Sequence, residues 1–329
     1  MDNAQCLVSV LCTAYNHEKY LREALDGMLA QQTDFPFEIL INDDASTDGT
    51  ADIIRDYAAR YPDKVRPFYQ EENLFSRHVD IYRTVFYPNC RGRYLAICEG
   101  DDYWRDPEKL QKQADFMEAH PEYSACVHNT TLHYCAGDKP DRPLLADEGE
   151  GDVPLKSILD GMSHSYHTSS LFAKRSIMTE PNDCFGIWTE YGFYDHPWAL
   201  CLIREGPIRR LEGCMSVYRI NSGAASWSSG VDEQYRKLRH YTRGECELLR
   251  RFCAQAPESF KDAAEAARLE KEFELMYIEG RDMDQRLPPY DALLREMPLK
   301  YRAVNALKCL FPSLQRMYRR RRGFSTDGQ

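Results

Sequence analysis

Three carboxylates lie within four residues of one another, directly after a short apolar segment. Glu99, Asp101 and Asp102 follow the run at 94–98, which predicts a buried strand of a parallel sheet. Ligands of open α/β sheets bind beyond the carboxyl ends of such strands. Carboxylate oxygens in this number suit Mg²⁺ or Mn²⁺ held against the phosphates of a substrate. The alternative interpretation is a solvated acidic turn.

Two other predicted strand ends carry side chains suited to a nucleoside. Tyr15 follows the run at 6–12 and offers an aromatic face on which a base can stack. Asp44 follows the run at 38–41 and offers a carboxylate to a pyrimidine N–H or to ribose hydroxyls. Each residue alone is more typical of packing or of turn chemistry, but their order on consecutive strand ends predicts a nucleoside pocket.

Segments of strand and helix character alternate along the chain. Strands are predicted at 6–12, 38–41, 65–69, 94–98, 125–134, 167–172 and 215–220, and helices at 18–31, 53–58, 78–88, 106–120 and 195–205. Short connections between alternating elements favour a doubly wound, mainly parallel α/β sheet of the Rossmann-like kind. Residues 136–152 read as a surface loop, and the chain from 231 onward is predicted to be helical.

Composition limits the class of protein. The chain has 329 residues, 43% hydrophobic content and a net charge of −10, which suits a large core and disfavours nucleic acid as a partner. Its twelve cysteines lack the CxxC spacing of metal or redox sites, so we expect free thiols in a reducing cytoplasm. Neither a signal peptide nor an apolar run of about 18 residues is present, which also predicts a cytoplasmic location.

Several familiar enzyme motifs are missing. The chain has no GxGxxG after its first predicted strand, no GxxxxGK[ST] loop and no GxSxG turn, which disfavours dinucleotide oxidoreductases, P-loop enzymes and serine or cysteine hydrolases. A sugar nucleotidyltransferase should carry a Gly-rich basic loop at 13–17, and this chain does not. That class stays open as an alternative, together with a non-catalytic protein that binds nucleotide sugars.

The motifs at the strand ends resemble the signature blocks of family 2 glycosyltransferases, inverting enzymes of the GT-A fold. These blocks are Val8-Ser-Val-Leu-Cys-Thr-Ala-Tyr-Asn16, Glu38-Ile-Leu-Ile-Asn-Asp-Asp-Ala-Ser-Thr-Asp-Gly49 and Glu99-Gly-Asp-Asp-Tyr-Trp104. A fourth block, spread over 194–228, resembles the acceptor half of bacterial members that build cell-surface polysaccharides. The resemblance implies a GT-A domain at 1–230, with a nucleotide-sugar half at 1–135 and an acceptor half at 136–230, and a helical region at 231–329.

The resemblance also implies a reaction and a set of site residues. A sugar would pass from a nucleotide donor, usually UDP-linked, to a hydroxyl of a glycan or lipid-linked acceptor, with Mn²⁺ or Mg²⁺ bound by Asp102 and Glu99. Asp195 falls where the family keeps its general base, and inverting transfer needs a carboxylate opposite the leaving diphosphate. The residues expected to bind the donor are Thr13, Tyr15, Asn16, Asp43, Asp44, Arg77 and Asp101.

Some positions depart from the family pattern. Glu99 replaces the Asp of many relatives, and its extra methylene would leave Asp102 as the main metal ligand. Asn221 stands where many relatives have a His, which argues against a third protein ligand for the metal. Arg77 is also consistent with an ordinary exposed loop arginine. His164 and His167 are candidates for the acceptor side, although histidines of a core or a surface are more common.

The C-terminal segment is basic and amphipathic. Residues 298–323 contain eight Lys or Arg and no Asp or Glu, and their apolar residues recur at helical spacing. Such a helix can lie on an anionic membrane, which would place the enzyme on the inner face of the plasma membrane. The alternative is a helix packed on the body, with its cations facing acids of the same chain.

Overall fold

The computed structural model describes residues 6–137, 139–146, 149–161, 165–179, 188–220 and 231–310, with the backbone alone at 188–189 and 231–235. The chain divides into two compact units, Met1–Asn221 and Ser222–Gln329. The first unit contains the sheet, and the described part of the second unit is helical. The predicted functional halves, 1–135 and 136–230, stay a prediction.

One sheet forms the centre of the first unit. Its strands are β1 (Val8–Ala14), β2 (Phe37–Asp43), β3 (Val65–Tyr69), β4 (Tyr94–Ile97), β5 (Tyr103–Trp104), β6 (Ala125–Tyr134), β7 (Arg142–Pro143), β8 (Gly151–Asp152), β9 (Phe172–Lys174) and β10 (Ile208–Ile220). The order is β3-β2-β1-β4-β9-β6-β10-β5, with β7 beside β6 and β8 beside β10. The longer pairs are parallel, whereas β9 and the two-residue strands pair antiparallel. The α/β prediction is confirmed.

Helices cover this sheet because their apolar residues recur on one face. They are α1 (Leu21–Leu29), α2 (Thr50–Arg60), α3 (Lys109–Ala119), α4 (Leu155–Leu159), α5 (Arg175–Met178), α6 (Trp188–Tyr191) and α7 (Asp195–Glu205). In α1 the buried residues Leu21, Ala24, Leu25 and Met28 follow helical spacing and join the core formed by β1, β2 and β4. Burial on both faces explains why β1, β2 and β4 are mostly apolar.

Two predicted elements differ from the structure. The helix expected at 78–88 is a single π-helical turn, Tyr82–Phe86. The strand expected at 167–172 is wrong, because Thr168–Ser170 form a 3₁₀ turn and β9 begins only at Phe172. The Ser170 hydroxyl donates to the His167 carbonyl at 2.6 Å, and this local bond competes with strand pairing.

One cysteine differs from the expectation of free thiols. Cys201, in α7, is disulfide-bonded, whereas the other described cysteines are free. The prediction of an entirely reduced chain is therefore wrong at this position.

The second unit is a set of helices, α8 (Val231–Gln255), α9 (Lys261–Glu279), α10 (Tyr290–Glu296) and α11 (Leu299–Leu310). The helices α8 and α9 pack against each other, and Glu279 of α9 accepts from Arg243 of α8 at 2.7 Å. The predicted helical C-terminal region is confirmed for the described residues, and positions 311–323 of the basic segment lie outside them. Among the helices that the structure describes, none is long and apolar enough to cross a bilayer.

Candidate active site

The ends of three neighbouring parallel strands form one edge of the sheet. β1 lies between β2 and β4, so the loops that follow these strands are adjacent. The Asp44 N–H donates to the Ala14 carbonyl, and the Gly100 N–H donates to the Thr13 carbonyl, each at 2.9 Å. A Cβ at position 100 would lie 3.2 Å from the Thr13 carbonyl and 2.8 Å from Nδ1 of His17, so glycine allows the turn after β4 to pack closely on β1 and the loop that follows it.

The three predicted carboxylates are crowded in the turn after β4. Asp102 is buried, Glu99 and Asp101 are partly buried, and the Thr168 hydroxyl donates to Oε2 of Glu99 at 3.2 Å. Burial raises the pKa of Glu99 to about 7, and the charge of Asp101 adds to this increase. Burial also raises the pKa of Asp102 well above its usual range, with further contributions from Asp101 and Glu99. Such a group of carboxylates is a favourable environment for a cation.

A buried arginine, Arg219 of β10, holds this turn. Its backbone N–H donates to Oδ1 of Asp102 at 3.1 Å, and its Nη1 donates to the Asp101 carbonyl at 2.7 Å. Its guanidinium also pairs with Glu23 of α1 and lies 4.4 Å from the centre of the Tyr103 ring. Arg219 therefore connects β10, α1 and the acidic turn.

His167 lies beside the buried carboxylate. Its Nδ1 is 3.7 Å from Oδ2 of Asp102, and its ring stacks on Tyr218 with the centroids 4.3 Å apart. Burial lowers the pKa of His167 to about 4, so the ring is neutral at pH 7. The backbone N–H of Ser169 donates to Nδ1, which assigns the proton of the neutral ring to Nε2.

Asp195 is the first residue of α7. It is partly buried, and its charge contributes to the raised pKa of Glu99, so the two carboxylates are electrostatic neighbours. The start of α7 is fixed by aromatic packing, because the Tyr82 ring lies edge-on to the rings of Tyr194 and Trp198 at 4.7 and 4.6 Å. Oδ1 of Asp195 also accepts from the N–H of His196 at 3.0 Å.

The carboxylate of Asp44 organises the loop that follows β3. Its two oxygens accept from the backbone N–H groups of Leu74 and Phe75 at 2.7 and 3.1 Å. A carboxylate has about four acceptor positions, so these bonds leave room for a ligand. Asp43 is also buried, and it accepts from the N–H of Ser46 at 3.3 Å within the turn.

The remaining predicted donor residues surround this crevice. Tyr15 is 39% exposed, which leaves its ring face available for stacking. Oδ1 of Asn16 accepts from the N–H of Thr47 at 2.8 Å and so links the loops after β1 and β2. Thr13 contributes its carbonyl to the turn at Gly100.

The loops after β1, β2 and β3 have two further features. Asn16 and Ala45 have positive φ angles of 54° and 59°, a strain of the kind found at functional sites. Arg77 is exposed and paired with Glu72, so the structure places it in the loop tethered by Asp44 but not beside the three carboxylates.

A preformed metal site is not evident. No group of three His, Cys, Asp or Glu side chains is arranged to hold an ion within the part of the chain that the structure describes. Mg²⁺ and Mn²⁺ sites of phosphate-transfer enzymes use one or two carboxylates together with substrate oxygens, so Asp102 and Glu99 fit such an ion. The positions His164, Asn221 and 226–228 lie outside the described residues.

Comparisons with known proteins identify the family. The family model for Glycosyl transferase family 2 matches residues 9–143. An uncharacterized glycosyltransferase of Nostoc sp. is 33% identical over 242 residues, which cover 70% of this chain and 70% of that protein. The chain belongs to glycosyltransferase family 2. The predicted family is thus confirmed over most of the sheet unit.

Other relatives match a shorter stretch of the chain. An uncharacterized protein of Mycobacterium tuberculosis is 47% identical over 134 residues, which are 40% of this chain and 37% of that protein. A putative teichuronic acid biosynthesis glycosyltransferase of Bacillus subtilis is 35% identical over 117 residues, 36% of this chain and 44% of that protein. The chain thus matches well under two thirds of the length of these relatives.

Solved structures share the fold. The crystal structure of S. aureus TarS 1-349 in complex with UDP-GlcNAc has a TM-score of 0.61 at 19% identity, covering 97% of this chain and 88% of that chain. The mannosyltransferase PcManGT of Pyrobaculum calidifontis, in complex with GDP-Man and Mn²⁺, has a TM-score of 0.54 at 18% identity, covering 93% and 85%. The fold of this family 2 chain is the GT-A fold that the sequence predicted.

The role of Arg219 was not predicted, and His167 was predicted only as a candidate for the acceptor side. Arg219 lies in the strand predicted at 215–220, and a charged residue in a buried strand was the available signal. The contact of His167 with Asp102 was not predicted, because it joins residues 65 positions apart in the chain.

Proposed function

We propose that this chain is a metal-dependent inverting glycosyltransferase that transfers a sugar from a nucleotide donor, and that this donor is a UDP-sugar. The acceptor is a hydroxyl of a glycan or of a lipid-linked saccharide in cell-surface polysaccharide synthesis. The observation that carries this proposal is the convergence of Glu99, Asp101 and Asp102 after β4, with Asp195 as their electrostatic neighbour. The UDP-GlcNAc bound in the TarS crystal structure and the teichuronic acid role given to the B. subtilis relative support the choice of donor and pathway class.

The donor would lie across the ends of β1, β2 and β4. Tyr15 would stack on the base, and Asp44, with Thr13, Asn16 and Asp43, would form the nucleoside pocket. Asp101, which is partly exposed, would bind the ribose or the donor sugar. Arg77 would reach the diphosphate only through a movement of its loop, because it is paired with Glu72.

A divalent cation fits the carboxylates after β4. Asp102 would be its principal protein ligand and Glu99 a second one, because burial and mutual repulsion disfavour their charged forms in the absence of a cation. The ion would supply positive charge against the diphosphate of the leaving nucleotide. The Mn²⁺ in the PcManGT crystal structure supports a divalent metal in this fold.

Asp195 would act as the general base that accepts the proton of the acceptor hydroxyl. Its position at the first residue of α7 is held by the buried aromatic contacts of Tyr82 with Tyr194 and Trp198. A base on a helix start supported by packed rings keeps a defined position relative to the donor, as inverting transfer requires.

We also propose that the protein is cytoplasmic and binds peripherally to the inner face of the plasma membrane. In α11 the side chains of Leu299, Leu307 and Leu310 are 77%, 49% and 71% exposed. Exposed cations, Lys300 and Arg302, flank this apolar face, and four consecutive arginines follow at 319–322. An apolar face bordered by cations is complementary to an anionic lipid surface.

Substitution of Asp195 tests the proposed reaction. Asp195→Asn should lower turnover of a UDP-sugar with Mn²⁺ by roughly 10²–10⁴-fold, because the amide cannot accept the proton. Asn has the size of Asp and keeps a side-chain oxygen that can accept from the His196 N–H, so folding should be preserved. The measurement is UDP release by the purified full-length protein over a panel of UDP-sugars, together with a thermal-shift test of UDP binding.

The matched control is Glu205→Gln, which removes an exposed carboxylate at the other end of α7. This variant should keep the turnover of the wild type. Equal turnover by Asp195→Asn and the wild type would contradict the assignment of the base.

A further inference from the structure

A cavity of about 840 Å³ lies at the opposite edge of the sheet from the three carboxylates. Leu7, directly before β1, and Arg93, directly before β4, line it, together with Lys174 at the end of β9 and Glu118 near the end of α3. The four residues of β4 span about 13 Å at roughly 3.3 Å per residue. The cavity is therefore separate from the donor crevice, and its volume is in the range of small-molecule sites.

The lining of this cavity is strongly basic. Arg91, Arg93, Lys174 and Arg175 line it, and Glu118 is the one acidic residue among the described residues that do so. The chain as a whole has a net charge of −10, so this cluster of four cations is opposite in sign to the net charge of the chain. Like charges brought together at a concave surface create a local potential that attracts anions.

Two of these cations have a carboxylate partner. Nε of Arg91 donates to Glu38 at 2.8 Å, and Glu38 also accepts from Arg66 at 2.7 Å. Arg93 pairs with Glu118. The carboxylates near the cavity are thus shared among Arg66, Arg91 and Arg93.

The other two cations are tethered by neutral groups. Nζ of Lys174 donates to the Pro121 carbonyl, and Nη1 of Arg175 donates to the Cys90 carbonyl at 3.0 Å. A carbonyl oxygen fixes the position of a cation without cancelling its charge. Lys174 and Arg175 therefore present two oriented positive charges to the cavity. Because these side chains are already held in place, binding of an anion would cost little further side-chain entropy.

We infer that this cavity binds a phosphate group, carried either by a small soluble phosphate ester or by the headgroup of an anionic lipid. The planar guanidinium of Arg175 and the ammonium of Lys174 match the charge and the acceptor oxygens of a phosphate. The site is additional to the donor diphosphate site, because it lies at the amino ends of β1 and β4 and not at their carboxyl ends.

Titration with inorganic phosphate tests this site in the full chain. The experiment is a thermal-shift titration at constant ionic strength with EDTA present, so that no divalent ion binds phosphate in the donor crevice. Phosphate should raise the melting temperature of the wild type. The double variant Lys174→Gln, Arg175→Gln should bind phosphate about tenfold more weakly or worse, because hydrogen bonds to charged groups are lost. The control Arg55→Gln, Lys112→Gln removes two exposed cations of the same unit outside the cavity and should behave as the wild type.

A second arm separates the two sources of phosphate. Flotation with phosphatidylglycerol-containing vesicles compares the same double variant and control, both of which keep α11. If the double variant binds phosphate more weakly but floats with the vesicles as the control does, the ligand is a soluble phosphate ester. If fewer molecules of the double variant than of the control are recovered with the vesicles, the ligand is a lipid headgroup. Behaviour of the double variant equal to that of the control in both assays would overturn the inference. Lys174→Gln alone, which removes one tethered surface cation, carries the test if the double variant does not fold.

Discussion

At the scale of single residues, Arg219 is what allows three carboxylates to share one turn. Burial makes the charged form of Asp102 unfavourable, and Arg219 lowers its pKa again through a hydrogen bond and through its charge. The same guanidinium binds the carbonyl of Asp101 and the carboxylate of Glu23. One buried cation thus orients the turn and partly offsets the repulsion within it.

Replacing this arginine should weaken donor binding. In Arg219→Lys the single ammonium cannot reach both the Asp101 carbonyl and Glu23, so the turn loses its orientation. We expect the affinity for UDP in the presence of Mn²⁺, measured by calorimetry, to fall about tenfold or more. Arg105→Lys is the control, since Arg105 is exposed and donates to the Cys214 carbonyl at 2.9 Å. Unchanged affinity in Arg219→Lys, with a normal melting temperature, would show that the turn does not depend on the guanidinium.

At the scale of elements, α11 packs through polar residues and exposes apolar ones. Lys308 is buried and donates to Asp282 at 3.2 Å, and Asn305 donates to the Asp282 carbonyl at 3.1 Å. The predicted packing of a basic helix against acids of the same chain is therefore present at Lys308. This packing leaves Leu307 and Leu310 on the exposed side of the helix. Packing against the same chain and binding to a membrane are therefore compatible for this segment.

Membrane binding by α11 is testable with one leucine. Leu310→Glu removes an exposed apolar side chain and adds a negative charge, so recovery of the full chain on anionic vesicles should fall about tenfold. Leu238→Glu, at a 43% exposed leucine of α8, is the matched control and should float as the wild type does. Similar recovery of the two variants would rule out α11 as the membrane contact.

At the scale of the whole molecule, acids and cations are separated across the sheet. The carboxylates lie after β4 and the basic cavity lies before it. A further cation, Lys109, is buried beneath the acidic turn, where its Nζ donates to Gln113 at 2.7 Å and lies 4.0 Å from the centre of the Trp104 ring. Burial lowers the pKa of Lys109 from 10.5 to about 7.

This lysine should make the stability of the protein depend on pH. Between about pH 7 and 10.5 the unfolded chain keeps the Lys109 proton and the folded chain releases it, so stability rises with pH across this window. In Lys109→Met this dependence should disappear. Melting temperatures from pH 7 to 9 should therefore rise in the wild type relative to the variant by about 2–4 °C per pH unit.

The control for this experiment is Lys112→Met, in the same helix. Lys112 is exposed and paired with Asp106, so its removal should not change the slope of melting temperature against pH. Parallel curves for the wild type and Lys109→Met would mean that the buried lysine does not release its proton in the folded state.

Local sequence patterns were sufficient to predict those elements whose structure depends mainly on their own residues. The bounds of β3, β6 and α7 agree with the predicted segments, because β-branched and aromatic residues favour strands and a helix that packs on a sheet needs apolar residues along its length. The position of the carboxylates after β4 was also predicted from local sequence, because ligands of open α/β sheets bind beyond the carboxyl ends of parallel strands. The 3₁₀ turn at 168–170 was missed because local hydrogen bonds hold it, in which the Ser170 hydroxyl donates to the His167 carbonyl and the Ser169 N–H donates to Nδ1 of His167.

The sequence by itself determined the α/β class, the family and the set of acidic and aromatic residues at the strand ends, since these depend on the order of residues along single elements. Tertiary structure alone decided that Arg219 reaches Asp102, that His167 lies beside the same carboxylate, and that four cations meet in a cavity at the far edge. These contacts join residues far apart in the chain, and their geometry depends on how the strands are ordered in the sheet.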